Sequence, residues 1–232
     1  MYIEIKDAVK QYGGKDNKVY ALNHASLSIE KGEICVILGH SGSGKSTLLN
    51  MIGGLDSLDS GSIEVAGKNI SSFSKNELAL YRRNNVGVVF QFYNLIPDLT
   101  VSENIRVIKD ISSDPMDMEK LMSVLGISKI ASRFPNEISG GQQQRVAIAR
   151  AMIKKPQVLL CDELTGALDS NSAREVLKLV QEVNKEYGTT ILIVTHNEEI
   201  RKMADRCVRI HDGKVVENKK QENRLNVEDM IL

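Results

Sequence analysis

The stretch EICVILGHSGSGKST, residues 33–47, decides the fold. Its first half, Ile34–Leu38, is a short apolar run ending at a glycine, the pattern of a strand buried on both faces as in a parallel sheet. Its second half, Gly39–Thr47, fits G-x-x-x-x-G-K-[ST], and a helix is expected from Lys45 to about Met51. Glycines here let the backbone curl round phosphate oxygens, so that the N–H groups of residues 42–47 point inward. In the loop Gly39, His40, Ser41, Gly42, Ser43, Gly44, Lys45, Ser46, Thr47, the lysine Lys45 reaches the β- and γ-phosphates of a nucleotide. The Ser46 hydroxyl binds Mg²⁺. A chance glycine–serine turn would lack the strand before and the helix after.

Other strand ends extend the site. VLLCDE (Val158–Glu163) is an apolar run closing on an acidic pair, which brings Asp162 near the Mg²⁺ and leaves Glu163 to polarise an attacking water. His196 ends ILIVTH, at the carboxyl edge where ligands of nucleotide-binding sheets sit. Gln91 follows the strand-like VGVVF and offers its side-chain oxygen to Mg²⁺ or water. His24, His40 and His211 show no such pattern.

Between these strands the texture changes. IEIKDAV, ALNHASLSI and SIEVAGKNI read as strands and KNELALYRR as a helix. From about residue 92 to 155 helical patterns dominate, as an inserted subdomain. SAREVLKLVQEVNKEYG is a helix with Val176, Leu177, Val180 and Val183 on one face and Gly188 past its end. RCVRIHDGKVVE is a hairpin around Asp212-Gly213. The fold class expected is α/β: a P-loop core with a mostly parallel sheet, an N-terminal antiparallel β region and a helical insertion. One domain covers residues 1–217, and residues 218–232 form a tail.

Composition excludes several classes. Thirty basic and thirty acidic residues balance over 232 residues, which leaves no footprint for general nucleic-acid binding. The three cysteines, Cys35, Cys161 and Cys207, are widely spaced in apolar runs and read as reduced cytosolic thiols. There is no signal-peptide h-region and no run long enough to span a bilayer, so spanning would fall to another chain.

ISGGQQQRVAIARA, residues 138–151, poses a separate problem. Ser139, Gly140 and Gly141 precede a helix expected from Gln142 to Ile153, which is the build of an anion site without a lysine. Taken alone, S-G-G is better explained as a glycine-rich helix N-cap without a ligand.

The order of motifs resembles the ATP-binding-cassette (ABC) ATPases over nearly the whole chain, from about residue 2 to 217. SGGQQQR looks like the family signature and GALD (Gly166–Asp169) like its D-loop. Gln91 and His196 match the Q-loop and H-loop positions. The resemblance implies that Tyr12 stacks on adenine and that ATP and Mg²⁺ are the ligands. Ser139, Gly140, Gly141 and Gln142, with Asp169, would complete the site of a second, head-to-tail copy, so that a homodimer encloses two ATP molecules. Glu163, His196, Gln91 and Lys45 would be catalytic; Ser46, Gln91 and Asp162 would serve the metal. Two features depart from the family. Leu164 stands where proline is usual, which loosens the backbone after Glu163, and the stretch between Ile105 and Ser139 is short.

FQFYNLIPDLTVSENI (residues 90–105), with GALDS and RVAIARA, resembles the branch that serves macrolide-exporter, lipoprotein-releasing and cell-division permeases. That implies a separate integral permease of FtsX-like type and a place on the inner face of the cell membrane. Phe92, Leu95, Ile96 and Leu99 would line the groove for the permease's cytoplasmic helix. The alternative is a soluble ABC ATPase acting on DNA, ribosomes or iron–sulfur assembly. Arg145, Arg150, Lys154 and Lys155 read as a solvated helix face, and no nucleic acid is expected.

Overall fold

The computed structural model describes residues 1–14 and 17–230. The alternating N-terminal residues form β1 (Ile3–Tyr12) and β2 (Val19–Ile29), paired antiparallel. β3 (Ile34–Leu38) follows and is buried at every residue. The phosphate-loop motif leads into α1 (Lys45–Ile52). β4 (Ser60–Val65) and β5 (Lys68–Asn69) then return to the first sheet, whose order is β2-β1-β4-β5. SIEVAGKNI is therefore a hairpin and not the single strand expected. Ala66 (φ 51°) and Gly67 (φ 76°) are both left-handed, the two-residue turn that matches strand twist. An alanine gives no warning of it, because left-handed backbone is disfavoured for any residue with a Cβ.

α2 (Lys75–Asn85) starts at a reciprocal Ser74–Glu77 capping box and runs directly into β6 (Val86–Val89). The helical insertion holds α3 (Val101–Asp110), α4 (Met118–Val124) and α5 (Gly140–Met152). The loop before α3 is irregular but organised. The wholly buried Asn104 accepts from Ile96 N–H and donates to the carbonyls of Ile96, Leu99 and Thr100. β7 (Val158–Asp162), α6 (Ser170–Tyr187) and β8 (Thr190–Thr195) complete a βαβ unit. Gly188 caps α6 at φ 64°, the left-handed stop expected of it. β9 (Arg206–His211) and β10 (Lys214–Lys220) form the hairpin expected around Asp212-Gly213.

The second sheet has the order β10-β9-β3-β8-β7-β6. It is parallel except for β10. Alternation along β3 explains its burial. Ile34, Val36 and Leu38 face a core shared with α5, α6 and the insertion. Cys35 and Ile37 face a second core shared with the antiparallel sheet and α1. β10 runs past residue 217, and the segment beyond it packs back on α6, burying Val227 and Met230.

Candidate nucleotide site

The carboxyl ends of the parallel strands collect the chemistry at one edge, where β3 is flanked by β8 and β9. The loop after β3 needs its glycines. Gly44 has φ 103°, and a Cβ there would lie 2.1 Å from the Ala21 carbonyl oxygen. The loop is tied to the β9–β10 turn, where Gly213 N–H donates to Ser43 O at 2.9 Å. Lys45 is almost wholly buried and its Nζ donates to His40 O at 2.8 Å. Ser43 Oγ is buried without a hydrogen-bond partner. A glycine-built loop holding a buried ammonium and an unpaired hydroxyl fits a polyphosphate.

Ser46 Oγ donates to Asp162 Oδ1 at 3.1 Å, which joins α1 to the end of β7. Burial raises the Asp162 carboxyl, opposed by the Ser46 hydroxyl, with the Glu163 charge adding to the rise and Lys45 opposing it. A hydroxyl and a carboxylate oxygen at this spacing suit a hard divalent cation such as Mg²⁺, whose charge would lower that carboxyl again.

Glu163 has left-handed backbone, φ 48°. Its N–H donates to Val194 O at 2.9 Å, which fixes the residue against β8. One carboxylate oxygen lies 3.0 Å from His196 Nδ1, and the other is 3.5 Å from Thr195 Oγ1. Leu164 is buried in the core, and Gly166 N–H bonds back to Glu163 O at 3.0 Å. The segment that leucine was expected to loosen is thus held by apolar burial and a turn. A Cβ on Gly166 would lie 3.2 Å from Gln91 Nε2, so Gln91 packs against the turn that follows Glu163.

Tyr12 keeps nearly half its surface exposed, with its hydroxyl donating to Asp56 Oδ2 at 2.8 Å. Lys10 Nζ lies 5.2 Å from the ring centre.

The S-G-G stretch differs from expectation in one detail. α5 begins at Gly140, so both glycines lie in its first turn and Ser139 is the N-cap, in a reciprocal box with Gln142. A Cβ on Gly140 would lie 2.9 Å from Tyr93 Oη, and one on Gly141 would lie 3.1 Å from Ser172 Cβ. These contacts run to the start of α6 and the loop after β6, not to the phosphate loop. Asp169 caps α6, accepting from the N–H groups of Asn171 and Ser172 and from Ser172 Oγ.

Arg150 and Lys154 are not a solvated face. Burial lowers both side chains, Lys154 to about 8. Arg150 donates to the carbonyls of Tyr93 and Asn94, and Lys154 to that of Arg82. Tyr93 and Asn94 both have positive φ, so Arg150 pins a strained loop to α5. Neither that role nor the Thr195 contact has a signal in the linear sequence. Phe92 and Ile96 are exposed, whereas Leu95 packs against the core.

A glycine-cradled lysine, a strand-end acidic pair and a histidine gathered on one edge of a parallel sheet define a P-loop nucleotide-binding domain. The chain belongs to the ABC transporter family, whose domain matches residues 22–166, and it is an ATP-binding domain of that family. It is 48% identical over 223 residues to the putative ABC transporter ATP-binding protein MG467 homolog of Mycoplasma pneumoniae, covering 94% of this chain and 66% of that one. It is 40% identical to the macrolide export ATP-binding/permease protein MacB of Hyphomonas neptunium, covering 92% of this chain and 34% of that one. The chain therefore spans about two thirds and one third of these relatives. The solved dimer of the ATP-binding cassette MJ0796 bound to ADP and Pi superposes with a TM-score of 0.85 at 36% identity, covering 94% of this chain and 98% of that one. Among the described residues no helix is long and apolar enough to cross a membrane.

Proposed function

We propose that this chain is the ATP-hydrolysing subunit of an exporter-type or force-transmitting ABC transporter, which closes on ATP as a head-to-tail homodimer and drives a separate FtsX-like permease from the inner face of the membrane. The observation that carries the reading is the Glu163 carboxylate held by His196 and Thr195 beside the Ser46–Asp162 pair.

Lys45 and the loop N–H groups hold the β- and γ-phosphates. Ser46, Asp162 and Gln91 would hold Mg²⁺, which would supply charge neutralisation for the phosphate oxygens. Glu163 orients a water for in-line attack on the γ-phosphate and takes its proton. His196 keeps that carboxylate aimed and contacts the γ-phosphate. Ser139, Gly140 and Gly141 of a second copy cap the γ-phosphate with the N-terminus of α5. The neighbours of the two glycines within one copy, Tyr93 and Ser172, lie outside the phosphate loop, which supports this reading. ATP then closes the pair and hydrolysis opens it.

The dimeric relative supports the assembly, and the export relative supports the branch. The test is Glu163→Gln chain with ATP and Mg²⁺. Light scattering should show a stable dimer that reverts to monomer without nucleotide, and capture from native membranes should bring down a permease with few spans and a large external domain. A variant that stays monomeric with ATP bound, or that brings down only ribosomes or nucleic acid, overturns the proposal.

A further inference from the structure

His40 and His211 lie far apart in sequence, yet the fold brings both to Asp212 at the rim of the phosphate loop. The two rings meet edge to face with centres 5.1 Å apart. Asp212 Oδ1 is 3.6 Å from His40 Nε2, and Asp212 Oδ2 is 3.3 Å from His211 Nδ1. One ligand atom from each residue falls within 4.8 Å of the others, and all three side chains are exposed. We propose that His40, His211 and Asp212 form a transition-metal site that takes Zn²⁺.

Spacing is the first argument. A tetrahedral zinc with nitrogen and oxygen ligands at about 2.0–2.2 Å sets its ligands about 3.4 Å apart. Each imidazole already stands near that distance from the carboxylate, and small rotations of exposed rings bring the set together. Protonation is the second. His40 Nδ1 lies 2.7 Å from Ser41 O, and a carbonyl only accepts, so Nδ1 carries the proton. Nε2 is the ring atom left facing the carboxylate, at 3.6 Å from Asp212 Oδ1, where it is free to serve as a ligand. Fixing the far ring nitrogen on a backbone carbonyl is also how metal-bound histidines are oriented.

The ligand-bearing segments are held in place. Asp212 (φ 47°) and Gly213 (φ 74°) form a tight turn whose Gly213 N–H donates to Ser43 O in the phosphate loop. A Cβ on Gly39, next to His40, would lie 2.4 Å from Ile210 O, next to His211, so the two backbones are in contact. Two imidazoles and one carboxylate favour zinc over magnesium, which takes oxygen ligands in octahedral geometry. The set shares no residue with the Ser46–Asp162 pair. The three cysteines are buried and offer the metal no competing thiolate.

The experiment uses untagged, nucleotide-free chain in excess Mg²⁺. Zn²⁺ is titrated by calorimetry and Co²⁺ by visible absorption. One equivalent should bind, with the strong visible band of low-coordinate cobalt. His40→Ala, His211→Ala and Asp212→Asn should each weaken binding at least about tenfold, with unchanged circular dichroism. His24→Ala, which alters an unrelated histidine–aspartate pair, should not weaken it. Absence of stoichiometric binding overturns the proposal, as does binding that survives His40→Ala/His211→Ala together.

Discussion

His196 Nδ1 lies 3.0 Å from a carboxylate oxygen of Glu163, and this pair joins the carboxyl ends of β7 and β8. The carboxylate is largely covered while the imidazole is open to solvent, with side-chain exposures of 18% and 70%. Such a pair holds a covered carboxylate in one orientation on a strained backbone. If Glu163 is the base, Glu163→Gln keeps the shape and loses the proton acceptor. Single-turnover hydrolysis should fall about 10²–10⁴-fold, with ATP affinity near that of the parent. His196→Ala should lower kcat with a smaller effect on KM. Hydrolysis at the parent rate in Glu163→Gln would remove the base assignment.

Tyr12 offers a ring face at the end of β1, and its hydroxyl is engaged by Asp56. Stacking of a base on an aromatic ring contributes about 1–3 kcal/mol by alanine substitution. If Tyr12 stacks on adenine, Tyr12→Ala should raise the Kd for ATP about tenfold, and Tyr12→Phe, which keeps the ring, should leave it nearly unchanged. Calorimetry with ATP in the Glu163→Gln background separates the two. Equal loss in both variants would mean that the Asp56 bond matters and the stacking does not.

Glu33 and Arg206 form the most buried ion pair described. Arg206 donates from Nε to Oε2 at 2.8 Å and from Nη2 to Oε1 at 3.1 Å. Burial works to raise the Glu33 carboxyl, but the guanidinium, the Glu30 backbone and the Lys220 charge outweigh it and hold the group below its ordinary range. Folded Glu33 thus gives up its proton more readily than unfolded Glu33. Its contribution is complete above about pH 4.3, the ordinary glutamate value, and is lost as pH falls through the lower folded value. Glu33→Gln leaves Arg206 buried without a counter-charge and should cost about 3 kcal/mol at pH 7. Urea unfolding across pH should show that difference shrink on acidification below about pH 4. A constant difference would mean that packing, not charge, sets the cost.

How far this molecule could be read from its sequence depended on how local each requirement is. The phosphate loop was legible because its glycines, lysine and flanking strand lie within fifteen residues, from 33 to 47. The alternation of β3 between two cores follows from an unbroken apolar run. Arg150 was misread because its partners Tyr93 and Asn94 are distant in sequence, and a basic residue on a helix looks solvated until its neighbours are known. The Ala66-Gly67 turn hid behind a residue that rarely turns. His40 and His211 carried no pattern at all, because only the hairpin's docking on the loop brings them together.

The segment after β10 looks polar in sequence, but two of its residues belong to the core. Val227 and Met230 are 1% and 3% exposed against α6. Gln181 clamps the segment with both ends of its amide, donating to Leu225 O at 3.0 Å and accepting from Val227 N–H at 3.1 Å. Arg224 adds an ion pair to Asp205 at 3.0 Å. Burying a valine side chain is worth roughly 1.5–3 kcal/mol before the cost of ordering its backbone is counted. Val227→Ala should thus lower stability by about 1.5 kcal/mol, the transfer cost of two methylene-sized groups. Val227→Asp, which puts a charge in the same apolar site, should cost more than Val227→Ala. Thermal unfolding of both variants, beside a chain ended at Gln221, measures the docking. If the shortened chain and Val227→Asp melt with the parent, the segment adds nothing to the fold. If both melt earlier while Gln181→Ala falls between them and the parent, the clamp and the apolar contact act as one unit on α6.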